Sequence, residues 1–174
     1  MLILGLIVVG IILCFGFVLL FGAPYLPTLS KQVTLALDMA DLKPGQTLLE
    51  LGCGDGKVVV AAAQRGYKVV GYELNPLLVL LCKVRTWRYG HLVRIYWGNF
   101  MTHQWPECDA IFVFGLQRIM PRLDTKIMQS INKSVNPASL EGGQVNVVSF
   151  AFTFPGRKAV QKVDGLSLYR FETL

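Results

Sequence analysis

The sequence predicts an α/β domain, a doubly wound and mostly parallel sheet with a C-terminal β-hairpin, preceded by one transmembrane helix. Three observations predict it. The apolar run Leu48-Leu49-Glu50-Leu51 breaks into Gly52-Cys53-Gly54-Asp55-Gly56, with glycines at alternate positions; a helix-compatible run follows, then a second apolar run, Val69 to Tyr72, that closes on Glu73. That order of strand, glycine loop, helix, strand and carboxylate is the first half of an α/β nucleotide or nucleoside site. Further apolar runs recur at the spacing of strands separated by helices, and the last two flank Asp164-Gly165, a hairpin turn by composition. Finally, Leu2 to Phe21 carry neither charge nor proline.

Taken in order, that leader is long enough for a bilayer, because twenty helical residues rise about 30 Å. A cleaved signal peptide fits less well: no lysine or arginine precedes the run, and Phe21-Gly22-Ala23-Pro24 is a poor cleavage site. Residues 1–22 are therefore read as a retained anchor. The basic residues all follow it, from Lys31 onward, which favours an N-out, C-in orientation with the domain on the cytoplasmic side. Residues 23–45 form a pre-domain segment. Its Ala23-Pro24-Tyr25-Leu26-Pro27-Thr28 is rigid and extended, since each proline restrains its predecessor. Composition leaves open whether it is a hinge or a lid over the ligand mouth. Thr28 or Ser30 caps a helix from Lys31 to Met39, with Val33, Leu35, Ala36, Leu37 and Ala40 as its apolar face.

Residues 46–174 make the domain. Strands are expected at Thr47–Leu51, Tyr67–Tyr72, Leu92–Trp97, Asp109–Phe114 and Gln144–Phe152, then a hairpin of Lys158–Val163 and Leu166–Phe171. Helices are expected at Lys57–Arg65, from Asn75 to Arg88, and from Leu116 or Pro121 to Lys133, with the last crossover helix reduced or absent. In the second of these, Leu77, Leu78, Leu80, Leu81 and Val84 read as core, and Lys83, Arg85 and Arg88 as outward-facing.

Two details narrow the ligand. Lys57 stands where a dinucleotide fingerprint needs its third glycine, and Gly56-Lys57 is followed by Val58 rather than a magnesium-binding hydroxyl. Asp55 places an acid where pyrophosphate would enter. A ribose joined to a cationic group, without phosphates, fits better, and S-adenosylmethionine is that ligand. The fold expectation sharpens accordingly to a Rossmann-like class I methyltransferase sheet. Such a ligand lies beyond the carboxyl ends of the strands. Glu50 and the backbone from Gly52 through Cys53, Gly54, Asp55 and Gly56 would meet the methionine part. Glu73, 23 residues after Glu50, would accept the ribose hydroxyls, with Leu74 against the adenine face. Asn99 would recognise the adenine amino group, Phe100 would cover the ring, and Phe114-Gly115-Leu116-Gln117 would border the methyl group. Neither histidine, His91 or His103, is placed as a base, Asp109 reads as structural, and no metal site is expected.

In composition, 53% of the 174 residues are hydrophobic and the formal net charge is +6. That surplus suits nucleic acid, anionic lipid or an inert basic face. Four cysteines, Cys14, Cys53, Cys82 and Cys108, show no paired spacing, so neither a disulfide framework nor a zinc site is expected, and a reducing compartment fits.

The chain resembles the membrane-anchored seven-β-strand protein lysine methyltransferases, typified by the mitochondrial enzymes that modify the adenine nucleotide translocase and the ATP synthase c-subunit. The resemblance rests on the leader with Ala23-Pro24-Tyr25-Leu26-Pro27 and Lys31-Gln32-Val33, on Glu50-Leu51-Gly52-Cys53-Gly54-Asp55-Gly56, on Gly71-Tyr72-Glu73-Leu74-Asn75-Pro76, on Arg85-x-Trp87-Arg88, and on Ile111-Phe112-Val113-Phe114-Gly115. It implies methylation of a lysine ε-amine on a membrane or membrane-proximal protein. It also makes Pro24, Tyr25 and Pro27 site candidates, Tyr25 and Pro27 joining Phe114 around the reacting groups. Asn99 departs from the aspartate common in the family. Brevity and the lack of an Arg-rich presequence favour a prokaryotic relative; in a eukaryote the membrane would be mitochondrial. No nucleic-acid partner is expected. The rival readings are a methyltransferase for RNA or a lipid-like molecule, using Arg85, Arg88, Arg94, Arg118, Arg122 and Lys126 as a basic face, and a non-catalytic membrane scaffold of the same fold.

Overall fold

The computed structural model describes residues 30–115, 117–133 and 144–172, with Met1, Leu4, Gly5, Val9 and Gly16 as isolated positions before them. In chain order the elements are α1 (Ser30–Ala40), β1 (Thr47–Leu51), α2 (Lys57–Gln64), β2 (Lys68–Glu73), α3 (Pro76–Thr86), β3 (Val93–Trp97), β4 (Ala110–Val113), α4 (Met120–Lys133), β5 (Gln144–Phe150), β6 (Gln161–Val163) and β7 (Leu166–Glu172). They form one seven-stranded sheet in the order β3-β2-β1-β4-β5-β7-β6. β1 to β5 run parallel, and β7 is antiparallel to both β5 and β6.

Strand composition explains the order. β4 is buried at all its positions, as its unbroken Ala-Ile-Phe-Val run demands of a central parallel strand. The pleat then divides side chains between two cores. Leu48, Val69 and Val93 join α1, α2 and α3 on the first face, through Ala36, Leu37, Val59, Ala62, Val79 and Cys82. Leu49, Leu51, Val70, Ile111 and Val147 join the second face, where Met120, Leu123, Ile127 and Ile131 of α4 pack. There Phe154 meets Tyr169 and Phe171 edge-on, at 5.0 and 5.4 Å between ring centroids. No helix connects β3 to β4 or β5 to β6, so among the described residues α4 alone covers the second face. The expected loss of the last crossover helix is therefore observed.

Local chemistry sets the helix starts. Asn75 accepts from the amides of Leu77 (2.9 Å) and Leu78 (3.4 Å), and Pro76 fills the first position, capping α3. Asp109 accepts the Thr47 amide at 2.7 Å, tying the starts of β4 and β1 together.

One expectation is overturned. Leu77, Leu80, Leu81 and Val84 are exposed rather than core, and only Leu78, Val79, Cys82 and Thr86 of α3 are buried. The helix is apolar on both sides, and the sheet can cover only one. The anchor expectation lies almost wholly outside the described residues. Among those described, no helix is long and apolar enough to cross a membrane.

Candidate active site

The glycine loop bridges the carboxyl ends of β1 and β2, and hydrogen bonds lock it there. Gly52 and Cys53 both donate their amides to the Tyr72 carbonyl, at 2.9 and 3.0 Å. Gly54 donates to one oxygen of Glu73 at 2.9 Å, and Asn75 to the other at 2.8 Å. The Gly56 amide meets the Cys53 carbonyl at 2.9 Å, and that of Lys57 meets Asp55 at 3.3 Å. A phosphate cradle works through unspent amide donors. Here those of Gly52, Cys53, Gly54, Gly56 and Lys57 are all satisfied internally, so the loop is not built for pyrophosphate.

Its charge points the same way. Glu50 is 2% exposed, on the first face of the sheet beneath the loop. Burial, then the neighbouring Cys82, Glu73 and Asp55, push its carboxyl well above the usual range. Its Oε2 has no hydrogen-bond partner among the described residues. A buried oxygen of this kind is costly unless something donates to it. Two residues on, just past the end of β1, Gly52 has φ +91° and faces open space, where even a Cβ would meet nothing within 4 Å. A cationic donor laid along Gly52 fits this arrangement, and an anion does not. Asp55 is differently placed: Arg85 of α3 clasps its carboxylate and also donates to its carbonyl at 3.0 Å. Asp55 thus fastens the loop to α3; Arg85 stays exposed, as expected, but its guanidinium reaches back to the loop.

Cys53 is buried, and its hydrogen bond with Cys82, followed by burial, raises its thiol pKa well above the ordinary range. It can meet a ligand only through its backbone. Leu74 is half-buried, and its carbonyl accepts from the Trp97 indole at 3.0 Å. Asn99 is exposed; its side-chain oxygen takes the Met101 amide at 2.9 Å, and its carbonyl takes His103 Nδ1–H at 2.9 Å. One acceptor site of the side chain is therefore spent on its own turn. Phe100 packs half-buried on the second-face core. At the tip of β4, Phe114 lies 4.8 Å from the Phe150 ring and 6.4 Å from that of Phe152. Gln117 pins the neighbouring segment by donating to the Thr153 carbonyl (3.0 Å) and accepting its amide (3.2 Å). Sequence reasoning placed Gln117 beside Phe114 but missed Phe150, Phe152 and the partner of Arg85. The motif Arg85-x-Trp87-Arg88 was visible, but not what Arg85 reaches. Tyr25 and Pro27, with Pro24, lie outside the described residues.

A groove of about 400 Å³ runs elsewhere, between residues 102–108 and α4, toward the starts of β4 and β5. Lys126 at its edge donates to the Met101 and His103 carbonyls, at 2.8 and 2.7 Å, and lies 4.9 Å over the Trp105 ring. It is a structural cation.

The family model for the ANTKMT methyltransferase domain matches residues 50–161. The chain belongs to that family. It is 32% identical over 134 residues to the lysine N-methyltransferase of the ATP synthase c-subunit from Xenopus laevis, covering 76% of this chain and 54% of that protein. It is 31% identical over 111 residues to the adenine nucleotide translocase lysine N-methyltransferase of Mus musculus, covering 62% and 48%. The chain thus spans about half the length of these relatives. Among solved structures, an RNA methyltransferase from Salinibacter ruber in complex with S-adenosyl-L-homocysteine superposes with a TM-score of 0.70 at 25% identity, covering 84% of this chain and 92% of that one. The sheet of this ANTKMT-family domain is thus that of a Rossmann-like class I S-adenosylmethionine-dependent methyltransferase.

Proposed function

We propose that this protein binds S-adenosylmethionine and transfers its methyl group to a lysine ε-amine of a membrane or membrane-proximal protein. The observation that carries the cofactor assignment is the unpartnered Glu50 oxygen, two residues before the open backbone at Gly52. When bound, the cofactor supplies an electrophilic methyl group on a sulfonium. Glu50 answers its ammonium, with the backbone from Gly52 to Gly56 alongside. Glu73, already oriented by the Gly54 and Asn75 amides, accepts the ribose hydroxyls. Leu74, Asn99 and Phe100 border the adenine.

The acceptor assignment comes from the two lysine methyltransferases above. A neutral amine held in line with the methyl group needs no dedicated base, since approach and orientation supply much of the rate. Phe114, Phe150 and Phe152 form an aromatic wall there, and an apolar wall favours the uncharged amine. Residues 1–22 are proposed as a single-pass anchor, 23–45 as a lid bringing Tyr25 and Pro27 to the mouth, and 46–174 as the catalytic domain on the cytoplasmic side.

The RNA reading loses two of its six cations, because Arg85 is spent on Asp55 and Lys126 on backbone carbonyls. The deciding experiment incubates the full chain and methyl-labelled cofactor with membranes lacking the enzyme, then maps the label by mass spectrometry. Labelled lysine that disappears with Glu73→Ala is expected. Label in RNA or lipid overturns the acceptor class, and absence of calorimetric cofactor binding by folded protein overturns the whole proposal.

A further inference from the structure

Leu77, Leu80, Leu81, Val84 and Trp87 recur at the spacing of one helical face, and in α3 and its following turn that face points to solvent. Leu80 and Val84 are each 61% exposed and Trp87 70%. A helix apolar on all sides is ordinarily buried on all sides. At the other end of the stripe stands Trp97, 65% exposed, with its indole bonded to Leu74 just before the helix. Two tryptophans thus bracket an aliphatic strip about 15 Å long, at 1.5 Å per residue.

The charge around the strip is of one sign. From Leu74 to Pro106 the chain has no aspartate or glutamate, but it has Lys83, Arg85, Arg88 and Arg94. Arg85 is committed to Asp55, Lys83 and Arg88 are exposed, and Arg88 lies 5.5 Å over the Trp87 ring; Arg94, between the first-face residues Val93 and Ile95, points to the other side of the sheet. We infer that this outer face of α3 lies on an anionic lipid surface, its leucines among the upper acyl chains, its tryptophans at the headgroup level and its cations on the phosphates. Exposed apolar strips rimmed by tryptophan and basic residues have the composition of interfacial helices.

Other occupants match the charge less well. A second copy on the same face would set Lys83 and Arg88 against their own kind. The apolar leader has no acidic side chain from Leu2 to Phe21 and offers these cations nothing. The proposed acceptor approach is beyond β4, at Phe114, in the middle of the sheet, whereas α3 connects β2 to β3 at one edge. The inference rests on the proposed membrane placement only for bringing the domain to the bilayer. Its consequence is orientation: a tether alone lets the domain tumble, but a second contact holds the glycine loop at a fixed height and angle.

The test uses the full chain with Trp87 as its sole tryptophan (Trp97→Phe and Trp105→Phe), reconstituted in liposomes of brominated phosphatidylcholine with or without phosphatidylglycerol. The expected result is that the protein floats with the vesicles and Trp87 is quenched, more strongly with the anionic lipid. Leu80→Glu with Val84→Glu should abolish most of the quenching while flotation persists. In the unsubstituted chain, anionic vesicles should shield Lys83 from acetylation but leave Lys57 and Lys162 reactive. Flotation without quenching of Trp87, or quenching indifferent to both phosphatidylglycerol and the glutamates, overturns the docking and leaves the anchor standing. Quenching that appears only when acceptor protein is added, or only as the protein-to-lipid ratio rises, assigns the face to that partner or to a second copy and equally overturns it. A chain that stays out of the floating fraction overturns anchor and docking together.

Discussion

Glu50 sets stability against binding. Its folded-state pKa lies well above the ordinary 4.5, chiefly because of burial. The folded protein therefore holds that proton more tightly than the unfolded chain does. Stability declines as pH rises from about 4.5 through the folded-state value, and the loss is complete above it. Glu50→Gln should raise the thermal midpoint of the ligand-free protein at neutral pH, and the gain should vanish in acid below the unfolded value. The same change should weaken S-adenosylmethionine binding about 10- to 100-fold, the worth of a hydrogen bond to a charged group. Thermal melts across pH and calorimetric titration read both effects. A less stable Gln variant at pH 8 would show that the carboxylate has a partner in the ligand-free state.

Gly56 is a second test at this scale. It has φ +82°, and a Cβ there would stand 2.7 Å from Cys82 Sγ. Gly56→Ala should cost about 2–4 kcal/mol, combining the left-handed backbone penalty with overpacking. Chemical denaturation measures it; an unchanged midpoint would mean that the loop can relax away from α3. The three glycines and the two acids stood plainly in the sequence. The contact with Cys82 did not, since nothing in local order says that the middle of α3 backs onto the loop.

Among the elements, α3 does the most to position the site. It carries the cap at Asn75, the Arg85 clasp and the outer strip. Arg85→Ala should leave the Asp55 carboxylate without its cation and loosen the loop. Because Arg85 is 37% exposed on its side chain, solvent screening limits the cost to about 1–2 kcal/mol. Cofactor affinity should fall several-fold, and Asp55→Asn in the same background should recover part of the stability. A double-mutant cycle measures the coupling, and additivity would deny that the pair acts as a clasp. The sequence misassigned this helix for a definable reason. Periodicity sorts residues into faces but does not rank them, so with leucines on both sides the pattern alone could not say which side the sheet would take. Asn99 and Phe114 were legible as strand-end residues; their turn bond and aromatic neighbours depended on which loops met.

Across the whole molecule, stability should grade from the sheet's centre to its edge. β1 and β4 sit between paired neighbours, whereas β6 is three exposed residues on the outer margin. Hydrogen exchange should find the β1 and β4 amides slowest and those of β6 near the open rate. Equal protection would place β6 in the same cooperative unit as the core. By itself the sequence determined the alternation of strands and helices, the glycine loop, its two acids and the closing hairpin, because each is written in a local run or in a spacing that one element enforces. The tertiary structure alone decided that the loop's amides are spent internally, that one Glu50 oxygen lacks a donor among the described residues, that Arg85 reaches Asp55 and that half of α3 is left uncovered. Those are contacts between residues far apart in the chain, and no local rule of burial or periodicity carries them.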